Sequence, residues 1–302
     1  MFRITVQGAG VQDTTVAAGA SDVLDGSTAH FQVKHRSDVT TGATLGQAVL
    51  GTCEADYGRL ADWFGGITPG GLPFTVTIQN GSNGASHATC AATGLLCDAF
   101  GGGDADLVRM LVVAEADEVF MSNFGHGWDC GASNGEALSR ILSAEIYPNS
   151  QSGFFTGASW LDGNRPDFVN STDPTDRNFV SIGCGTLFFN YLRNQLGFSI
   201  NQIIAAGAAT FKQTYKNLTR DNGDPFPVFA GLLQSRFPVG QASGLANDNP
   251  WPIPSNRTLS LQRFASAQGI QASNGIRSSM SAGGFTNLRG WLNSDRSAAL
   301  MP

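Results

Sequence analysis

The sequence predicts an α+β protein, on three observations. Two short segments alternate apolar and polar residues at the strand period, residues 30–35 (HFQVKH) and 74–78 (FTVTI). Several longer segments repeat their apolar residues at helical spacing instead. The chain of 302 residues is 41% hydrophobic, enough to bury one large core.

Taken in order, residues 1–27 read as a short N-terminal strand and a glycine- and serine-rich turn region. The opening MFRITVQGAGVQ alternates like a strand and lacks the apolar block of a signal peptide. After the 30–35 strand, Leu45, Val49, Tyr57, Leu60, Ala61 and Phe64 predict one helix over 43–64, ended by GGITPGG. The 74–78 strand stops at NGSNG, and an edge strand is expected around His87. Residues 106–124 (DLVRMLVVAEADEVFMSNF) are apolar almost all round, which predicts a buried helix capped by Asp104 or Asp106. A loop, GHGWDCGAS, leads to a second helix over 134–147 that Pro148 closes. Residues 149–180 are turn-rich. A third apolar helix spans 185–196, a fourth 201–215 and a shorter one 227–237. From 241 to 302 the chain is rich in Pro, Ser, Asn and Gln and is expected to wrap the domain. The organisation is thus an extension (1–27), a main domain (28–240) and a C-terminal extension (241–302).

Charge and hydropathy exclude some classes. A net charge of −6 and a pI near 5.1 carry no nucleic-acid footprint. No apolar run reaches the ~18 residues of a membrane span. Five cysteines are expected to form Cys90–Cys97 and Cys130–Cys184 bonds, with Cys53 left as a buried apolar residue. The alternative is five reduced thiols in a cytoplasmic protein. Few lysines, many small polar residues and paired cysteines favour a secreted one.

The succession of strand, long helix, strand, edge strand, buried helix, Glu-bearing helix and third helix resembles the gluzincin branch of zinc metallopeptidases. It covers residues 28–215. In that family the buried helix carries His-Glu-x-x-His, whose histidines bind zinc and whose glutamate is the general base. A third ligand, a glutamate, comes from the next helix. Here the matching segment reads Ala114-Glu115-Ala116-Asp117-Glu118, and Glu136 follows in Asn134-Gly135-Glu136-Ala137-Leu138. The base survives as Glu115, while alanine and Glu118 stand where the two histidines would be. The resemblance implies a zincin-like fold: a small mixed sheet with an edge strand over a buried helix, followed by a mostly helical subdomain.

It further implies that Glu115, Glu118 and Glu136 converge on one cleft. Three carboxylates there cannot all stay ionised and unpaired. A hard cation such as calcium or magnesium would relieve them, since oxygen ligands select such ions over zinc. So would a retained proton, giving an acid and base pair, or an arginine, with Arg109 and Arg140 nearest in sequence. The plainer alternative is that the glutamates form ordinary salt bridges. His87 on the edge strand and His126 in the GHGW loop flank the site, and a rebuilt zinc site using them is the least favoured option. Tyr191 could donate to a substrate oxyanion, or simply pack in the core. Trp128 and Trp160 could stack on a substrate, or anchor loops. Ser133 in GASNGE lacks the strand and trailing glycine of a nucleophile elbow.

Three readings follow. The first is a hydrolase of peptides or carbohydrates on a metallopeptidase-like frame, working through Glu115, Glu136 and Glu118. The second is an inactive pseudopeptidase that acts as a secreted binding or structural protein. The third is a carbohydrate-binding or glycosidase-like protein using the carboxylates and the tryptophans.

Overall fold

The computed structural model describes residues 19–253, save residue 83 and the stretches 100–102, 151–153 and 246–248. The strand expected near residue 1 and most of the C-terminal extension lie outside the described residues. The elements below belong to one compact unit that ends at Trp251.

Among the described residues, five strands form one mixed sheet: β1 (Asp22–Ser27), β2 (Phe31–Arg36), β3 (Phe74–Asn80), β4 (Ala85–His87) and β5 (Gly94–Ala99), in the order β1-β2-β3-β5-β4. The three central strands run parallel, and both edge strands are antiparallel to their neighbours. In β2 the alternation works as expected, with Phe31, Val33 and His35 turned inward and Gln32 exposed. β4 stands at the sheet edge and carries His87.

Two strands lie where the sequence suggested none. β1 falls within the stretch read as a turn-rich extension; its residues are mostly exposed, so it has little apolar pattern to read. β5 begins between Cys90 and Cys97, the pair expected to bond to each other, and its Leu95, Cys97 and Ala99 are buried.

The helical half is layered on this sheet. α1 (Gly42–Leu50) and α2 (Cys53–Trp63) replace the single helix expected over 43–64, interrupted at Gly51 and Thr52. α3 (Ala105–Phe124) packs on β3, β4 and β5; α4 (Ser133–Ile146) packs on α3, and α6 (Phe179–Asn190) on α4. Between them, α5 (Gly157–Leu161) lies inside the stretch read as irregular. α3 begins at Asp104, whose side chain accepts from the Asp106 amide, and ends at Gly125, where φ is 76°. Every residue from Met110 to Met121 is buried, as the all-round apolar pattern requires.

α6 runs on through a π-helical turn, Tyr191–Gln195. The helix expected over 201–215 is two, α7 (Ile200–Ala205) and α8 (Phe211–Thr219), each with its own cap: Ser199 and Gln202 form a capping box, and Thr210 accepts from the Gln213 amide. α9 (Phe226–Arg236) follows. Trp251 returns to this core, stacking near Tyr191 and Phe229 and donating to the Leu187 carbonyl.

Candidate functional site

Glu115 and Glu118, three apart on α3, and Glu136, in the first turn of α4, are all sealed from solvent, with exposures of 1%, 3% and 1%. The packing of α4 on α3 brings Glu136 close enough that its charge and that of Glu118 both act on Glu115. β4 adds His87, whose Nε2 lies 2.7 Å from Glu118 Oε2 and 3.8 Å from Glu115 Oε2. The ring is oriented from behind, with Nδ1 3.3 Å from the Ala92 carbonyl. When Nδ1 donates to that carbonyl, the contact between Nε2 and Oε2 needs one proton between them, on either the imidazole or the carboxyl.

Burial pushes the remaining carboxyls upward. Desolvation pushes Glu115 well above the ordinary glutamate range, with Glu118 and Glu136 adding to the rise and Arg140 opposing it. Glu136 is pushed up in the same way, first by burial and then by Glu118. Its contact with Arg140, 3.5 Å from Nη2 to Oε2, is too long to offset the loss of water. Arg140 itself is held between the rings of Phe155 and Phe179, at 5.3 and 5.5 Å from their centroids. Arg109, the other candidate neutraliser, turns away to Asp106 and the Ala48 carbonyl.

Two acceptors in the cluster, Glu115 Oε1 and Glu118 Oε1, are buried without a hydrogen-bond partner. Asp117, which the motif comparison passed over, is completely buried, and neither of its carboxyl oxygens has a partner. Burial, then Glu118, pushes its carboxyl well up. Its signal was present in the sequence, as an acidic residue on a helix apolar on every face.

The cysteine pairing differs from the expectation. Cys90, just after β4, is bonded to Cys130, just before α4, and Cys53, Cys97 and Cys184 are free and buried. Cys97 cannot reach Cys90 because it sits within β5, in register with Ile78 and Ala85. Cys184 is locked inside α6 with no exposure. The bond therefore ties the sheet edge to the loop between α3 and α4.

The other candidates lie elsewhere. His126 is exposed, adopts a left-handed backbone (φ 58°) and stacks on Phe124 at 4.4 Å. Tyr191 belongs to an aromatic cluster with Phe188, Phe229 and Trp251, and burial pushes its hydroxyl up to about 12. Trp128 is buried against Phe211 and donates to the Ile204 carbonyl. Trp160 is wholly buried, donates to the Pro166 carbonyl and packs on Phe229. Neither indole offers a face to a sugar.

The donor set does not suit a zinc ion of the gluzincin kind. Ala114 has no ligand atom, and Glu136 faces Arg140. Among the described residues, metal-binding atoms gather within 4.8 Å in two groups, His87 with Glu118 and Cys130, and Cys90 with Asp129 and Cys130. Glu115, Glu118 and Glu136, for which a hard cation was one of three options, are not such a group.

No protein-family model matches the chain, and no curated protein or solved structure matches it significantly.

Proposed function

We propose that the protein is a peptide hydrolase on a metallopeptidase-like frame, working by acid and base chemistry without the gluzincin zinc. The observation that carries this reading is the meeting of Glu115, Glu118, Glu136 and His87 in one buried cluster between the sheet edge and two packed helices. Glu115, whose carboxyl burial pushes upward, is suited to give a proton to a leaving amine. His87 and Glu118, in contact beside it, form the complementary base. Two groups whose surroundings set them to opposite tasks are the ordinary basis of acid–base catalysis near neutral pH.

An antiparallel edge strand above a buried Glu-bearing helix also accords with the zincin-like frame. A peptide is favoured over a carbohydrate because, among the described residues, β4 has no strand on its outer side and an extended chain can add there, whereas Trp128 and Trp160 are buried. The disulfide accords with secretion, since such bonds persist in oxidising compartments.

One observation favours the pseudopeptidase reading: all four groups are closed to solvent, so a substrate reaches them only after the edge moves. A mixed peptide library digested by the wild type and by Glu115→Gln separates the two. Cleavage lost in the variant with the fold intact supports the hydrolase. Equal cleavage by both proteins, or none by either, rejects it.

A further inference from the structure

The bond between Cys90 and Cys130 covers more than a loop junction. The Cys130 sulfur, His87 and Glu118 present ligand atoms all within 4.8 Å of one another, and all three residues are buried. Cys90 adds a second sulfur, and Asp129 an exposed carboxylate, within 4.8 Å of the first. His87 is already oriented as a metal-binding imidazole, with the Ala92 carbonyl behind Nδ1 and Nε2 turned to the cluster. Glu118 Oε1 is buried with no partner, so one more acceptor at this point lacks a donor or a cation. As long as the two sulfurs are bonded to each other they carry no charge and make poor ligands. Two thiolates would change that.

We propose that this disulfide is a redox gate on a zinc site: once it is reduced, Cys130, His87 and Glu118 bind one zinc ion, and Cys90, released from the bond, moves in as the fourth ligand. The reductant is a dithiol. One of its sulfurs, as a thiolate, attacks the sulfur of Cys90, the half-buried partner, and the bond to Cys130 breaks. Cys130 leaves as a thiolate beside His87. The second thiol of the reductant then displaces Cys90 from the mixed disulfide, and the reductant departs as its own cyclic disulfide. Two electrons have passed to the protein. Zinc takes both cysteines as thiolates, their protons pass to solvent, and His87 and Glu118 complete a four-coordinate set of two sulfurs, one nitrogen and one oxygen.

The ligand chemistry is distinct from the gluzincin set, which contains no sulfur, and it explains why zinc rather than calcium or magnesium is the ion. Thiolate and imidazole select zinc, whereas the hard cations need oxygen alone. The site does not depend on the hydrolase reading, because its test measures metal and not turnover.

The experiment reduces the full chain with excess dithiothreitol, removes the reductant anaerobically, and titrates with zinc alone against a chromophoric chelator. Cobalt, used in parallel, reports sulfur ligation by its charge-transfer absorption. Circular dichroism follows the fold throughout. One equivalent of zinc bound by the reduced protein, none by the oxidised protein, and loss of that equivalent in both Cys130→Ser and His87→Gln is the expected result. Cys53, Cys97 and Cys184 remain in both variants, so zinc retained by them would belong to other thiols and overturn the proposal. It is equally overturned if the oxidised protein binds zinc as well as the reduced, or if the reduced protein takes none. Should reduction unfold the chain, zinc is expected to restore the fold, and failure to do so also overturns it.

Discussion

His87 Nε2 and Glu118 Oε2 meet at 2.7 Å with both side chains almost closed to solvent, and this contact joins the edge of the sheet to the helix beneath it. A buried pair of this kind contributes little over a well-packed apolar pair, but removing one partner strands the other. His87→Ala is therefore expected to lower stability by about 3–5 kcal/mol, because Glu118 stays buried with no donor facing Oε2. The double substitution His87→Leu with Glu118→Leu should recover most of the loss. Urea unfolding of the three proteins measures both terms, and a loss under about 1 kcal/mol in the single variant would show that the pair is not closed in solution.

The carboxyls of Glu115, Glu136 and Asp117 are all pushed upward, with burial as the first cause in each. A carboxyl whose folded value is raised binds its proton more tightly in the folded chain. Its contribution is fully present below the unfolded value, 4.5 for the glutamates, and is lost as pH rises from there toward the folded value. Thermal stability should accordingly fall between mildly acidic and neutral pH. In Glu115→Gln, which keeps the shape and cannot ionise, the slope should be shallower and the neutral-pH stability higher. A melting temperature that rises steadily from pH 5 to pH 7 in the wild type would contradict burial of these groups.

How much of this was legible in the sequence depends on what each segment buries. α3 was readable because Met110 to Met121 all face protein, and such a helix has no polar stripe. β4 was readable from its position before that helix. β1 was not, since its side chains are largely exposed and its pairing with β2 is a tertiary fact. β5 was lost to a wrong inference about cysteines: two thiols close in sequence suggested a local bond, but a strand intervenes and turns Cys97 into the core. The division between α7 and α8 was in fact written in the chain, as Ser199 with Gln202 and Thr210 with Gln213, two helix starts eleven residues apart. The meeting of Glu115, Glu118 and Glu136 came from resemblance and spacing. The partner that His87 supplies depends on how the sheet edge lies over α3, which no local pattern encodes.

Non-reducing peptide mapping should recover one linked pair joining Cys90 to Cys130, and alkylation of the unfolded, oxidised chain should label three thiols. The closed loop spans 40 residues, so chain entropy alone assigns the bond about 4 kcal/mol of stability. Cys90→Ser with Cys130→Ser is expected to lose about that much in urea, with little change in the folded spectrum. A linked pair at Cys90 and Cys97, or at Cys130 and Cys184, would contradict the strand assignment of β5 or the burial of α6.

Gly135 decides where Glu136 stands. A Cβ at this position would lie 2.0 Å from the Asp129 carbonyl oxygen and 2.4 Å from its carbon, both backbone atoms that no rotamer change can move aside. The same loop is pinned to α4 a second time, by the Asn134 amide donating to the Gly127 carbonyl. Gly135→Ala must therefore push the loop carrying Cys130 away from the first turn of α4, and Glu136 and the disulfide move with it. The expected cost is about 1–3 kcal/mol or more, as for other overpacked sites. Gly58, exposed in α2 with nothing within 4 Å of its would-be Cβ, is the matched control. There alanine should instead stabilise by about 0.5–1 kcal/mol, because a helix interior favours it over glycine. Opposite signs at the two glycines, read by thermal or urea unfolding, are the expected outcome. A neutral Gly135→Ala would mean that the loop is not held against α4, and that the approach of Glu136 to Glu115 and Glu118 is looser than the packing of α3 on α4 requires.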